Sequence, residues 1–89
     1  MTDELLKDAQ EWAELFFTNE ELAVMLDIPV ADLRVALEDI NSPLGQAITR
    51  GRLLSEAELR RAIISLAKRG SSPAQAVALD LVRRMHAET

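Results

Sequence analysis

Three basic residues, Arg50, Arg61 and Lys68, stand 11 and 7 positions apart in the chain. Both intervals are close to whole numbers of helical turns, so on one continuous helix these side chains line one stripe. Arg52, Arg60 and Arg69 broaden the stripe, and Arg83 and Arg84 follow on a later segment. A row of guanidinium and ammonium groups is chemistry for gripping a polyanion backbone, because each phosphate neutralised releases condensed counterions. The same residues also fit two other uses, a solvated helix face or a counter-surface for the acidic half of a neighbouring copy. Arg34 lies apart from them, near the start of another predicted helix. There a bidentate contact to a guanine edge is the functional use, and pairing with Glu38 at i, i+4 is the structural use, which is the expected one.

Little else in the chain carries chemistry. The single histidine, His86, falls near the end of the last helical segment, and cysteine is absent. Ser71 and Ser72 are accounted for by helix punctuation rather than nucleophilicity. Glu20–Glu21 and Glu38–Asp39 are adjacent pairs, so on a helix they point to different sides and do not cooperate. Neither metal-ligand spacing nor a phosphate-cradling glycine loop is present. Catalysis, a cofactor and a metal site are therefore not expected, and any ATPase activity must come from a partner.

The elements that position these residues read as helices throughout. Helix one is expected from Asp3 to Phe17, capped by Thr2, with Leu5, Ala9, Trp12, Ala13 and Phe16 on one apolar stripe and Trp12 in the core. Thr18 and Glu21 form a capping box for the next helix, with Phe17 and Leu22 as its hydrophobic staple. Its inward face is Leu22, Ala23, Met25 and Leu26. Asp27–Ile28–Pro29 then breaks the period, because Pro29 removes a donor and fixes φ. A further helix resumes at Val30, with Leu33, Ala36, Leu37 and Ile40 inward. Ala23, Ile28, Leu33 and Ala36 hold the places of a helix-turn-helix, Ala23 being small where two helices cross closely. Asp27 stands where the turn usually has Gly, and Asp tolerates left-handed backbone.

After Asn41, Ser42 caps and Pro43 takes the first helical position. One long helix is expected over 43–69, with Gly51 the place for a bend. The alternative is a restart at a Ser55–Glu58 capping box. Leu44, Ile48, Gly51, Ser55, Leu59, Ala62 and Leu66 keep one face, and its small residues allow a close helix crossing. At about 1.5 Å per residue this helix spans near 40 Å, more than a three-helix core covers, so part of it needs another partner. Gly70 supplies a left-handed C-cap. Ser72 and Pro73 then open a last helix with Ala76, Ala78, Leu79, Val82 and Met85 on its apolar side. The three-residue turn implies an antiparallel hairpin. The expected fold is thus all-α, with a helix-turn-helix unit at residues 1–42 and a helical hairpin at 43–89.

With 89 residues, 48% of them apolar and 28% charged, the chain can bury roughly 60% of its unfolded surface. No run of residues is apolar for long enough to span a bilayer. The acidic start, Met1 to Asp8, lacks the order of a signal peptide, so a cytoplasmic location is expected. The net charge of −5 is unevenly spread. Residues 1–42 hold eleven acids against Lys7 and Arg34, a net −9, whereas residues 43–89 hold eight bases against four acids, a net +4. The predicted recognition helix, with Asp32, Glu38 and Asp39, is poorly suited to phosphates.

The run from Ser42 to Val82 resembles phage and prophage proteins of the terminase small-subunit type. The residues that carry the likeness are Ser42-Pro43-Leu44, Arg50-Gly51-Arg52, Glu56 to Arg61, and above all LAKRGSSPAQ at Leu66–Gln75. With the preceding helix-turn-helix it covers Asn19 to Val82. The resemblance implies recognition of double-stranded viral DNA at the start of genome packaging, oligomerisation through the hairpin, and an ATPase large subunit as partner. Two alternatives remain, a helical protein-interaction module without a nucleic-acid role and a small transcription regulator. The residues assigned to nucleic acid are Arg34, Arg50, Arg52, Arg60, Arg61, Lys68 and Arg69.

Overall fold

The structure is a computed structural model that describes residues 2–88. The described residues are all-α, with five helices: α1 (Asp3–Ala13), α2 (Asn19–Leu26), α3 (Val30–Glu38), α4 (Pro43–Lys68) and α5 (Ser72–Glu88). They form two compact units, residues 1–56 and residues 57–89. The units part in the middle of α4, not after Ser42 where the change of charge suggests a division.

In the first unit, local chemistry places most helix ends where the sequence puts them. Thr2 Oγ1 accepts from the Leu5 amide at 3.2 Å, and Asp3 and Glu4 occupy the electropositive first turn of α1. Thr18 and Glu21 complete the capping box, the Glu21 amide donating to Thr18 Oγ1 (3.2 Å) and the Thr18 amide to Glu21 Oε1 (2.9 Å). Asp27 ends α2 in the left-handed region at φ 56°, as expected of a turn without glycine. Ser42 caps α4 by accepting from the Gly45 amide, and α4 continues through Ser55 and Glu58 as one helix.

Helix one is shorter than its periodicity suggests. It ends at Ala13, the last amides bond to carbonyls three residues back, and Phe16 adopts φ 61°. A bulky residue in that region is strained, and no glycine marks the break. Ala9 and Ala13 are the buried residues of α1, while Trp12 is 39% exposed and meets Phe17 edge-on, ring centroids 6.2 Å apart. Trp12 is therefore a surface ring, not a core residue. Met25 is likewise exposed, and Ile40 lies beyond α3 at 83% exposure. In the second unit, α5 starts one residue earlier than expected. Ser71, not Ser72, accepts from the Ala74 amide and is the cap.

The first unit's core is Ala9, Ala13, Leu22, Ala23, Leu26, Leu33, Leu44, Ala47 and Ile48, flanked by Leu5, Leu6, Phe17, Ile28, Val30, Ala36 and Leu37. Leu22, Leu33 and Ile48 are its fully buried large side chains, each worth about 1.5–3 kcal/mol relative to exposure. Two glycines let α4 join this core. A Cβ at Gly51 would run into the Gln10 carbonyl of α1 and touch Ala13, and one at Gly45 would run into the Ala36 carbonyl of α3. The close crossing anticipated from the small-residue stripe is thus present.

In the second unit the C-terminal part of α4 turns at Arg69–Gly70, with Gly70 at φ 104°, into α5. Gln75 Nε2 donates back to the Ala67 carbonyl at 3.0 Å, and Ile64 shares a groove with Val82 and Met85. Residues farther from the turn on one helix meet residues farther from it on the other, which is an antiparallel hairpin. Only Ala74 is buried there, whereas Leu59, Leu66, Leu79 and Val82 are exposed. The stripe that α4 presents to the first unit's core runs on past Gly51 without being covered.

Gly51→Ala separates propensity from packing. Alanine favours an isolated helix by about 1 kcal/mol, but the added methyl must displace the α1 backbone, an overpacking cost of roughly 1–3 kcal/mol or more. Urea denaturation should therefore show a net loss of stability. A gain would mean that α1 and α4 do not approach as closely as described.

Candidate nucleic-acid interface

The seven cations singled out by sequence divide between the two units, Arg34, Arg50 and Arg52 in the first and Arg60, Arg61, Lys68 and Arg69 in the second. Arg34 projects from α3 and pairs through Nη2 with Glu20 of α2, both side chains being more than half exposed. Its partner is on the neighbouring helix, so the expected i, i+4 pair with Glu38 is not the one made. The rest of the outward surface of α3 is Ala31, Asp32, Val35 and Glu38, with Asp39 following, all exposed. Arg34 is the only cation on a surface otherwise acidic and apolar.

Arg52 has a structural task. Half-buried on α4, it donates from Nη2 to the Phe17 carbonyl and to Asn19 Oδ1, both at 2.9 Å. It thereby ties α4 to the chain reversal that starts α2, and satisfies a carbonyl left over where α1 has ended. Nothing in the local pattern distinguishes it from its solvent-facing neighbours, since the contacts lie 33 and 35 residues away in sequence. Arg50 is exposed and lies on the first unit, at the edge of a groove formed with the end of α3.

The second unit holds the rest. Arg61, Lys68 and Arg69 are exposed on or just after α4, Arg60 is half-buried, and Arg83 and Arg84 are exposed on α5. Arg61 and Lys68 are seven residues apart on one uninterrupted helix, so they share a face. The unit carries six bases against three acids, a net +3, whereas residues 1–56 carry twelve acids against four bases, a net −8. Moving the division from 42 to 56 keeps the sign of both halves. Among the described residues, no group of three His, Cys, Asp or Glu is placed to hold a metal ion, and no helix is long and apolar enough to cross a membrane.

Sequence reasoning missed one feature, the groove between the end of α3 and α4. Leu37, Ile40, Leu53 and Leu54 line it. Leu53 and Leu54 lie off the buried stripe of α4, and that was the available signal. Comparison with protein-family models, curated proteins and solved structures found no match to this chain.

The two engaged arginines differ in what they support. Arg34→Ala removes an exposed ion pair worth about 0–1 kcal/mol. Arg52→Ala removes charge-assisted hydrogen bonds, worth about 1.5–3 kcal/mol, from a half-buried carbonyl and amide. Thermal and urea melts of the two variants should rank Arg52→Ala as clearly the more destabilised, and equal losses would contradict the structural role given to Arg52.

Proposed function

We propose that this protein is a non-catalytic DNA-recognition and assembly subunit, of the kind that terminase small subunits provide at the start of viral genome packaging. In this reading the second unit holds the duplex by its phosphates, and α3 does not read bases. The observation that carries it is the segregation of charge. Arg61, Lys68, Arg69, Arg83 and Arg84 stand exposed on a unit of net +3, while the first unit is net −8 and the single cation of α3 is occupied by Glu20. Phosphate contacts supply position and affinity but no sequence information, so the subunit alone binds duplex DNA with little sequence preference.

Exposed Leu59 and Leu66, on the stripe of α4 that is covered only as far as Gly51, support self-association. The likeness at Leu66–Gln75 supports the packaging setting, with an ATPase large subunit as the partner that drives translocation. A transcription regulator would use the same contacts. A second reading, a protein-interaction module without nucleic acid, is favoured by the acidic and apolar surface of α3.

Fluorescence anisotropy with a generic duplex separates the two. With about four phosphates neutralised, raising salt from about 50 to about 200 mM should weaken binding roughly 100-fold. Arg61→Ala and Lys68→Ala should each reduce the log–log salt slope by about 1, and Arg34→Ala should leave it unchanged. Absence of binding at about 50 mM salt would refute the DNA reading and leave the interaction module.

A further inference from the structure

Assembly, which the proposed function requires, needs an acceptor as well as a donor surface, and the first unit holds a groove that its core does not use. The groove is open to solvent and offers about 540 Å³. Leu37, Ile40, Leu53 and Leu54 make its apolar lining, with Glu38 and Asp39 on one lip and Arg50 among the lining residues. Ile40 is 83% exposed, Leu53 56% and Leu54 46%. Three large aliphatic side chains, Ile40, Leu53 and Leu54, thus stand together at one open concavity that a partner's apolar side chains would cover.

Ile40 is held in this position by defined bonds. The Asn41 amide donates to Asp39 Oδ1 at 2.9 Å and the Ser42 amide to the Asp39 carbonyl at 3.0 Å, which fixes the turn. Gln46 Nε2 donates to the Ile40 carbonyl at 2.7 Å. The backbone around Ile40 is thus anchored from both sides, and its side chain is presented outward by the turn.

The chain itself carries a matching ligand. On α5, Leu79 and Val82 are exposed at i, i+3, and Arg83 lies next to Leu79 on the helix surface. We propose that the groove receives α5 of a second copy, with Leu79 and Val82 entering between Ile40 and Leu53–Leu54 and Arg83 meeting Glu38 and Asp39. Charge complementarity selects this occupant. Hairpin against hairpin brings two units of net +3 together, whereas groove against α5 joins a unit of net −8 to one of net +3. Within the groove, Arg50 repels an incoming cation and the Glu38–Asp39 lip attracts it, which sets the direction of the bound helix.

Because donor and acceptor are different surfaces, the contact is heterologous. Each copy receives one neighbour and is received by another, so assembly proceeds head to tail and ends only in a closed ring. An isologous dimer built from paired hairpins has no such property, and the difference can be measured.

Two variants each remove one surface at an exposed position: Ile40→Glu in the groove, and Leu79→Glu with Val82→Glu on α5. Circular dichroism should show both to be as helical as the unaltered protein. Light scattering after size exclusion, over about 10–500 µM chain, should show concentration-dependent oligomers for the unaltered protein and monomers for either variant. An equimolar mixture should give heterodimers and nothing larger, since one productive interface survives per pair. Arg83→Glu should weaken association at least tenfold, and adding Glu38→Arg and Asp39→Arg should restore it. A monomeric unaltered protein, assembly that persists in Ile40→Glu, or a mixture that stays monomeric would each overturn the proposal. Ile40→Glu leaves the cations assigned to DNA in place, so its anisotropy titration tests the DNA reading independently of assembly.

Discussion

The arrangement of this protein depends on two places where backbone meets backbone. At Gly51 and Gly45, α4 lies against the carbonyls of Gln10 and Ala36 with no room for a methyl group. These contacts seat Leu44, Ala47 and Ile48 in the same core as Leu22 and Leu33. They make the first two turns of α4 an inseparable part of the N-terminal unit. The helix is continuous over 26 residues, but its turns after Glu56 belong to the second unit, where only Ala74 is buried. The second unit therefore has helices but almost no interior of its own. Two helices with one buried alanine gain little from packing against each other, and Leu59, Leu66, Leu79 and Val82 remain exposed for the self-association proposed above.

Charge follows this division and gives it functional meaning. The first unit, at −8, joins α2 to α3 through a short turn, and α3 presents Asp32, Val35 and Glu38 with Arg34 paired to Glu20. The unit at +3 exposes Arg61, Lys68, Arg69, Arg83 and Arg84. Binding a polyanion and binding an acidic protein surface draw on the same electrostatics, and only the first releases a condensed counterion atmosphere. Salt dependence against DNA, together with the apolar residues that accompany the cations in a protein contact, distinguishes one from the other.

Much of the fold was legible because it is written in local signals. Thr18–Glu21, Ser42–Pro43 and Gly70 mark helix ends through contacts no more than a few residues apart, and the long helix, expected over 43–69 and found at Pro43–Lys68, could be read from one continuous stripe. The failures share a different cause. Helix one stops at Ala13 although Trp12 and Phe16 keep helical spacing, and Phe16 takes a left-handed backbone that no sequence rule anticipates. Ile40 keeps the period of α3 but lies beyond its end. The division between units falls inside a helix, where composition gives no boundary. Among the candidate site residues, Arg52 was indistinguishable from Arg50 two positions away, since its partners Phe17 and Asn19 are adjacent only in the folded chain. The identities of the exposed cations were readable, whereas their availability was not.

The most direct measurement is a two-dimensional NMR titration of the isotopically labelled chain with a generic DNA duplex at about 50 mM salt. If the second unit holds the phosphates, amide shifts should concentrate at Arg61, Lys68, Arg69 and Arg84, fade as salt rises, and leave Ala31 to Val35 in place. Shifts centred on Ala31, Asp32 and Arg34 instead would return the reading role to α3 and contradict the assignment of DNA contact to the second unit.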